Sequence, residues 1–168
     1  MTPAEKIGNV RHIHSPVELG SYLRDYRRKQ AATIHTASGF GDLGERFISE
    51  LERGKETAFF DKTLNYIKLL GLNLHIYPRN ALSVQDPYGA FSNTKDIGAL
   101  ARQHRKSQEA TLDTVKEISG LSLRFLSDFE NGKNSQIGKA LTALKNYGLE
   151  VAIAPKNYRL SKADLLDV

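Results

Sequence analysis

Side chains that commonly carry out reactions are sparse in this sequence. There is no Cys, which removes thiolate catalysis, thiolate metal ligation and disulfides. The histidines are His12, His14, His35, His75 and His104. His12 and His14, one residue apart, can each offer a nitrogen to a metal, but two ligands without a cysteine make a weak site. No nucleophile elbow, P-loop or HExxH occurs. The reading is therefore no enzyme, no metal and no cofactor. What the chain does carry is positive charge: 24 Lys and Arg against 19 Asp and Glu, a net +5 and a pI near 9.4. That excess favours a polyanionic partner, nucleic acid first, although a basic protein with a merely solvated surface shows the same balance.

The basic residues recur in a pattern. Residues 46–55 read RFISELERGK and residues 124–133 read RFLSDFENGK, an offset of 78. At that offset Gly20 meets Gly98, Arg24 meets Arg102, Arg27 meets Arg105, and Ala32-Thr33 meets Ala110-Thr111. Glu52 falls on Glu130 and Gly54-Lys55 on Gly132-Lys133. One residue is then lost, and at an offset of 77 Leu64 meets Leu141, Gly71-Leu72 meets Gly148-Leu149, and Pro78 meets Pro155. Helical amphipathicity alone does not produce matches at so nearly fixed an offset, so the chain reads as a tandem duplication. Two copies are too few for a solenoid, and 168 residues accommodate two small domains.

Each copy must position its charges on helices. Ser15, Pro16 and Glu18 form a capping box, with Asn93 and Asp96 in the same places of the second copy. A first helix then spans about 16–30 and 94–107, with Leu19, Tyr22, Leu23 and Tyr26 on one face. Thr33 and Thr111 start a second helix, with Val115 and Ile118 expected to point inward. In the first copy Gly39 and Gly41 predict a short or frayed second helix, since Gly costs about 1 kcal/mol inside one. A third helix opens near Gly44 or Ser122, buries Ile48 and Leu51 or Leu126 and Phe129, and ends at Gly54 or Gly132. A fourth helix spans about 60–70 and 136–147. Alternating apolar residues in LNLHIYP and LEVAIAP then predict a strand closing each copy. A lone strand has no ladder partner, so 72–77 is expected to pair with 149–154 across a pseudo-twofold axis. Phe47 and Phe125 read as core between the second and third helices, or as wedges against thymine methyls.

Both copies resemble the Xre-type, lambda-repressor-like helix-turn-helix family. The resemblance rests on the Arg-x-x-Arg of the first helix, the Thr opening the second, DLGERFISELERGK (42–55), GLSLRFLSDFENGK (120–133) and the terminal Gly-Leu. It covers about 15–80 and 93–157. More narrowly, HIHSPVEL and the closing strand resemble HipB-type antitoxins, which repress their own operons. The fold class implied is mainly α: two tandem helix-turn-helix domains, each followed by a short β-strand, paired as an intramolecular pseudodimer. The expected divisions are a first domain at 1–80, a linker at 81–92 carrying the turn signals Asp86-Pro87 and Tyr88-Gly89, a second domain at 93–157 and a tail at 158–168 with one helical turn after Ser161.

The resemblance also implies roles. Arg27 with Glu52, and Arg105 with Glu130, would be structural ion pairs joining the first helix to the third. Base contacts would come from the start of the third helix: Gly44, Glu45, Arg46, Ser49 and Glu50, then Ser122, Leu123, Arg124, Ser127 and Asp128. Arg46 and Arg124 can fork onto guanine O6 and N7. Glu50 and Asp128 can accept from cytosine N4 or orient the neighbouring Arg; both readings stand. Thr33, Arg53, Lys55, Thr111, Asn131 and Lys133 would touch phosphates, with solvated lysines as the plain alternative for Lys55 and Lys133. The family usually has Gln after the Thr of the second helix, where Ile34 and Leu112 stand here.

The function implied is sequence-specific repression of transcription from a double-stranded DNA operator, autoregulatory and antitoxin-like. The second reading is an interaction protein, an antitoxin or antiactivator that binds a toxin kinase or an activator. A homodimer of the chain is expected if only the second copy reads DNA. No membrane-spanning run or signal peptide is present in the sequence, so the expected location is cytoplasmic.

Overall fold

A computed structural model describes residues 10–79 and 89–166. The same order of elements occurs twice. The first set is α1 (Pro16–Lys29), α2 (Ile34–Phe40), α3 (Glu45–Glu52), α4 (Phe60–Leu69) and strand β2 (Leu72–Pro78), preceded by β1 (Arg11–His12). The second is β3 (Ala90–Phe91), α5 (Thr94–Ser107), α6 (Leu112–Ser119), α7 (Leu123–Glu130), α8 (Ile137–Asn146) and β4 (Leu149–Pro155), followed by α9 (Lys162–Leu166). No helix among the described residues is long and apolar enough to cross a membrane.

The caps follow from residue type. Ser15 and Asn93 accept from the backbone N–H of Glu18 and Asp96, and Thr33 and Thr111 from Thr36 and Thr114. Glu18 does not close the box on Ser15: its carboxylate accepts from the His14 N–H. The third helices end at Gly54 and Gly132 with φ of 89° and 79°. Gly20 and Gly98 serve a different purpose. A Cβ at either would lie 2.3 Å from a carbonyl oxygen, of Leu51 or Phe129, so the absence of a side chain lets the first helix press against the end of the third. Helix α2 is one residue shorter than α6, and Gly39 lies inside it. Ile118, expected inward, is 66% exposed: on α6 Val115 is buried and Leu112 packs partly on the core, while Ile118 lies away from it.

The four strands form one antiparallel sheet in the order β1-β4-β2-β3. β2 and β4 pair along their whole length, from Leu72 opposite Pro155 to Pro78 opposite Leu149. The centre of that register is His75 opposite Ala152, residues that occupy the same place in the two copies. A second equivalent pair meets at Phe59 and Gln136, flanked by bonds from Phe60 N to Ser135 O and from Ile137 N to Ala58 O. The two copies are thus joined in register at two places. One continuous apolar core runs through both, with Ile48, Leu51, Ile76, Ile97, Leu126 and Ile153 fully buried.

The sheet is wider than the expected ribbon, and its edges cross over. β1 pairs with β4, and β3 with β2, so each copy opens with a short strand laid against the closing strand of the other. Ala90 and Phe91 therefore belong to the sheet and not to the linker expected at 81–92; residues 81–88, with Asp86-Pro87 and Tyr88, lie outside the described residues. The tail also does more than expected. Ser161 and Asp164 cap α9 reciprocally, and Leu165 packs on Tyr77 and Ala152, over the sheet face opposite the helices.

Candidate nucleic-acid interface

α3 and α7 are amphipathic, and burial fixes which face each presents. Ile48, Leu51 and Glu52 of α3, and Leu126, Phe129 and Glu130 of α7, are buried. The opposite face carries Glu45 and Arg46 in the first copy and Ser122, Leu123 and Arg124 in the second, all exposed. Ser49, Glu50, Ser127 and Asp128 are half-buried along the flank. The Ser122 hydroxyl is the N-cap of α7, accepting from Phe125 N at 3.1 Å, whereas Gly44 caps α3 without a side chain.

The electrostatics of the two faces differ. Arg46 Nε donates to Glu50 Oε1 at 3.1 Å, and Lys55 Nζ donates to Glu50 Oε2 at 2.7 Å. Lys55 first, and then Arg46, hold the Glu50 carboxyl below the usual carboxylate range. In the second copy Lys133 pairs with Asp128 at 3.1 Å, and Arg124 has no hydrogen-bond or ion-pair partner among the described residues. Lys55 and Lys133 thus each pair with a carboxylate of the third helix while their side chains stay 44% and 67% exposed. Glu45 is bonded to His35 of α2; their equivalents, Leu123 and Asp113, make no such contact. An exposed guanidinium on such a face can meet guanine O6 and N7, and a carboxylate beside it can accept or orient.

The third helices are held by buried clasps. Arg27 donates from Nε to Glu52 Oε1 at 2.7 Å and from Nη2 to Oε2 at 2.8 Å, while Nη1 donates to the Ala32 carbonyl at 2.7 Å. Arg105 holds Glu130 less symmetrically: Nη2 donates to Oε1 at 2.7 Å, Nε is shared between Oε1 and Oε2 at 3.1 and 3.3 Å, and Nη1 donates to the Ala110 carbonyl at 2.9 Å. Burial pushes the Glu52 carboxyl up, but the hydrogen bonds from Arg27 and Tyr66 outweigh it and leave it below the usual range. Ala31 and Glu109 adopt φ of 55° and 53°, which swings the next residue's carbonyl to the Arg. No sequence signal marked this turn, because neither residue is Gly or Asn.

Around the helices, Thr33 and Thr111 are exposed, with oxygens used as caps and shared with Thr36 and Thr114. Arg53 Nε donates to the Ser49 carbonyl, and Asn131 Oδ1 accepts from Arg102 at 2.7 Å. Ile34 and Leu112 are half-buried against the core, so the apolar residues at these positions pack inward. Phe47 and Phe125 also pack on the core edge, under Lys62 and Lys139 respectively. Residues missed by the sequence reading flank the clasps. Arg24 and Arg28 line a groove beside α3, and Arg102 and Lys106 line the matching groove beside α7. Their repeat at an offset of 78 was the available signal.

The two spaced histidines, His12 and His14, are engaged in structure. His12 bonds Tyr77 and the Asp164 carbonyl, and His14 bonds Glu18. Among the described residues, no group of three or more His, Cys, Asp or Glu could hold a metal ion.

The chain is 44% identical over 59 residues to an uncharacterized HTH-type transcriptional regulator, y4mF, of Sinorhizobium fredii (strain NBRC 101917 / NGR234). The match covers 34% of this chain and 78% of that relative. No family model matches, and no solved structure matches.

Proposed function

We propose a mode of action from the premise that this chain belongs to the HTH-type transcriptional regulators, a family of DNA-binding regulators and not of enzymes. Two Xre-type units at about 15–80 and 93–157 form a pseudodimer within one chain, and each lays its third helix in the major groove of an operator. The observation that carries this reading is the in-register join of equivalent residues, His75 opposite Ala152 and Phe59 opposite Gln136. Such a join gives the two helices a twofold relation of the kind that operator half-sites require. The relative's length fits it too: 59 residues are 78% of that protein, so it has room for one such unit.

In this reading Glu45, Arg46, Ser49 and Glu50, and Ser122, Leu123, Arg124, Ser127 and Asp128, face base edges. Thr33, Arg53, Lys55, Thr111, Asn131 and Lys133 lie towards phosphates, which position the protein without specifying sequence. Because Glu45-Arg46 and Leu123-Arg124 differ, the two half-sites can differ. The regulation is repression of the chain's own operon, in the manner of HipB-type antitoxins. The test is footprinting of the full chain on its own upstream DNA, with Arg46→Ala and Arg124→Ala run separately. Loss of protection at different half-sites is the expected outcome; unchanged protection with both variants rejects the docking.

A specific observation favours a second reading, binding of a toxin or activator protein. Phe40 and Ile118, equivalent residues near the ends of α2 and α6, are 79% and 66% exposed. Apolar residues bared at the same place in both copies suit a protein partner. Binding that persists at high salt would mark this activity, since phosphate contacts weaken steeply with salt.

A further inference from the structure

Arg46 and Arg124 occupy the same place in the two copies and have different neighbours. Glu50 takes the Nε–H of Arg46 and, through its other oxygen, a proton of Lys55. A contact at Nε leaves Nη1 and Nη2, the end pair of donors, facing outward, and that pair matches the spacing of O6 and N7 on one guanine. Asp128 stands where Glu50 does but is one methylene shorter. It bonds Lys133 and does not reach Arg124.

We infer that Glu50 is a positioning residue that aims Arg46 at its base, so that the first half-site is read at that base more stringently than the second. This rests on the reading that both third helices dock on DNA. A long side chain biased towards one geometry before binding has less ordering entropy left to lose. It is also less able to turn towards an alternative base, so a mismatch leaves its donors unpaired. Arg124, unrestrained, orders on binding and can reorient. Lys55 completes the device. It offsets the second carboxylate oxygen of Glu50, which would otherwise add negative charge beside the phosphates. A Glu50 acting only through charge would change affinity for all sequences alike.

The experiment is selection of duplexes of about 20 bp, roughly two DNA turns, from a randomised pool by the full chain. Glu50→Asp reproduces the geometry of the second copy, and Asp128→Glu that of the first. Glu50→Asp is expected to lower base preference at one position of the first half-site by about tenfold, within the range of one bidentate contact. The second half-site should keep its preference. Asp128→Glu is expected to sharpen one position of the second half-site. Unfolding midpoints close to wild type would show that both variants fold. If affinity shifts and neither variant changes any base preference, the inference is overturned. Arg46→Ala and Arg124→Ala in the same selection separate the two levels. If Arg46→Ala flattens the first half-site while Glu50→Asp and Asp128→Glu do nothing, the docking stands and only the positioning role falls. If neither Arg variant changes selection, the docking itself fails and takes the inference with it.

Discussion

Arg27 grips Glu52 by two parallel hydrogen bonds, and the hydroxyl of Tyr66 closes on the same carboxylate at 2.6 Å. Removing the guanidinium leaves a buried carboxylate short of donors. Arg27→Met should cost about 3–5 kcal/mol in denaturant unfolding. Arg105→Met should cost less, because a tyrosine donor remains at both sites but only Glu130 keeps a second guanidinium, Arg102 at 3.6 Å. Equal losses at both sites would contradict this ranking.

The same clasp sets a pH dependence. The Glu52 carboxyl is depressed in the folded protein, so folding favours its ionised form. Its contribution is complete above the unfolded carboxylate pKa, near 4.3, and fades as pH falls through the lower folded value. Stability measured against pH should therefore drop below about pH 4, and Glu52→Gln, though less stable at neutral pH, should show a shallower drop.

Gly20 and Gly98 bring the first helix of each copy against the carbonyls that end the third. A methyl there meets backbone oxygen at 2.3 Å, which no rotamer change relieves. Gly20→Ala and Gly98→Ala should each destabilise by about 3 kcal/mol, the upper part of the overpacking range. An unfolding midpoint unmoved by either would show that the helices can separate freely.

Ala31 and Glu109 hold left-handed backbone to deliver the 32 and 110 carbonyls to Arg27 and Arg105. That conformation costs about 1–2 kcal/mol for a residue with a Cβ, while Gly brings an entropic penalty of about 0.5–1 kcal/mol. Ala31→Gly should thus stabilise by up to about 1 kcal/mol, read as a rise in denaturant midpoint.

Unfolding of the two copies should be one event, since they share a core and a sheet. The bonds from Arg79 N to Gly148 O and from Lys156 N to Gly71 O fix the ladder phase, placing His75 at a bonded position between β2 and β4. His75→Pro removes that donor from a central strand and should cost about 3 kcal/mol or more. Probes in either copy should lose structure together in the parent protein. Two separate transitions would mean that the join is not what couples them.

Much of the architecture was legible because it depends on local chemistry. Caps at Ser15, Thr33, Asn93 and Thr111, glycines at 54, 71, 132 and 148, and period-two apolar runs each act over a few residues. Repetition then supplied what one copy could not: two strands that each lack a partner. Other features were not legible. Ile118 matched an inward position by spacing, yet its exposure depends on how far α6 lies from its neighbours. β1 and β3 are two residues each, too short for periodicity, and exist because the other copy's closing strand offers an open edge. The clasp tyrosines break the repeat: Tyr66 aligns with Ala143, and Tyr147 with Leu70, one turn further along.

The repeated residue pattern, and the helices and closing strands within it, could be derived from residue order, because capping, chain reversal and amphipathicity are short-range. Tertiary structure alone decided the crossed edge strands, the left-handed turns that serve the clasps, the packing of Leu165 against the sheet and the unequal settings of Arg46 and Arg124. The reason is physical. Each depends on distances between groups far apart in the chain, and a difference of one methylene, Glu50 against Asp128, decides whether a bond is made.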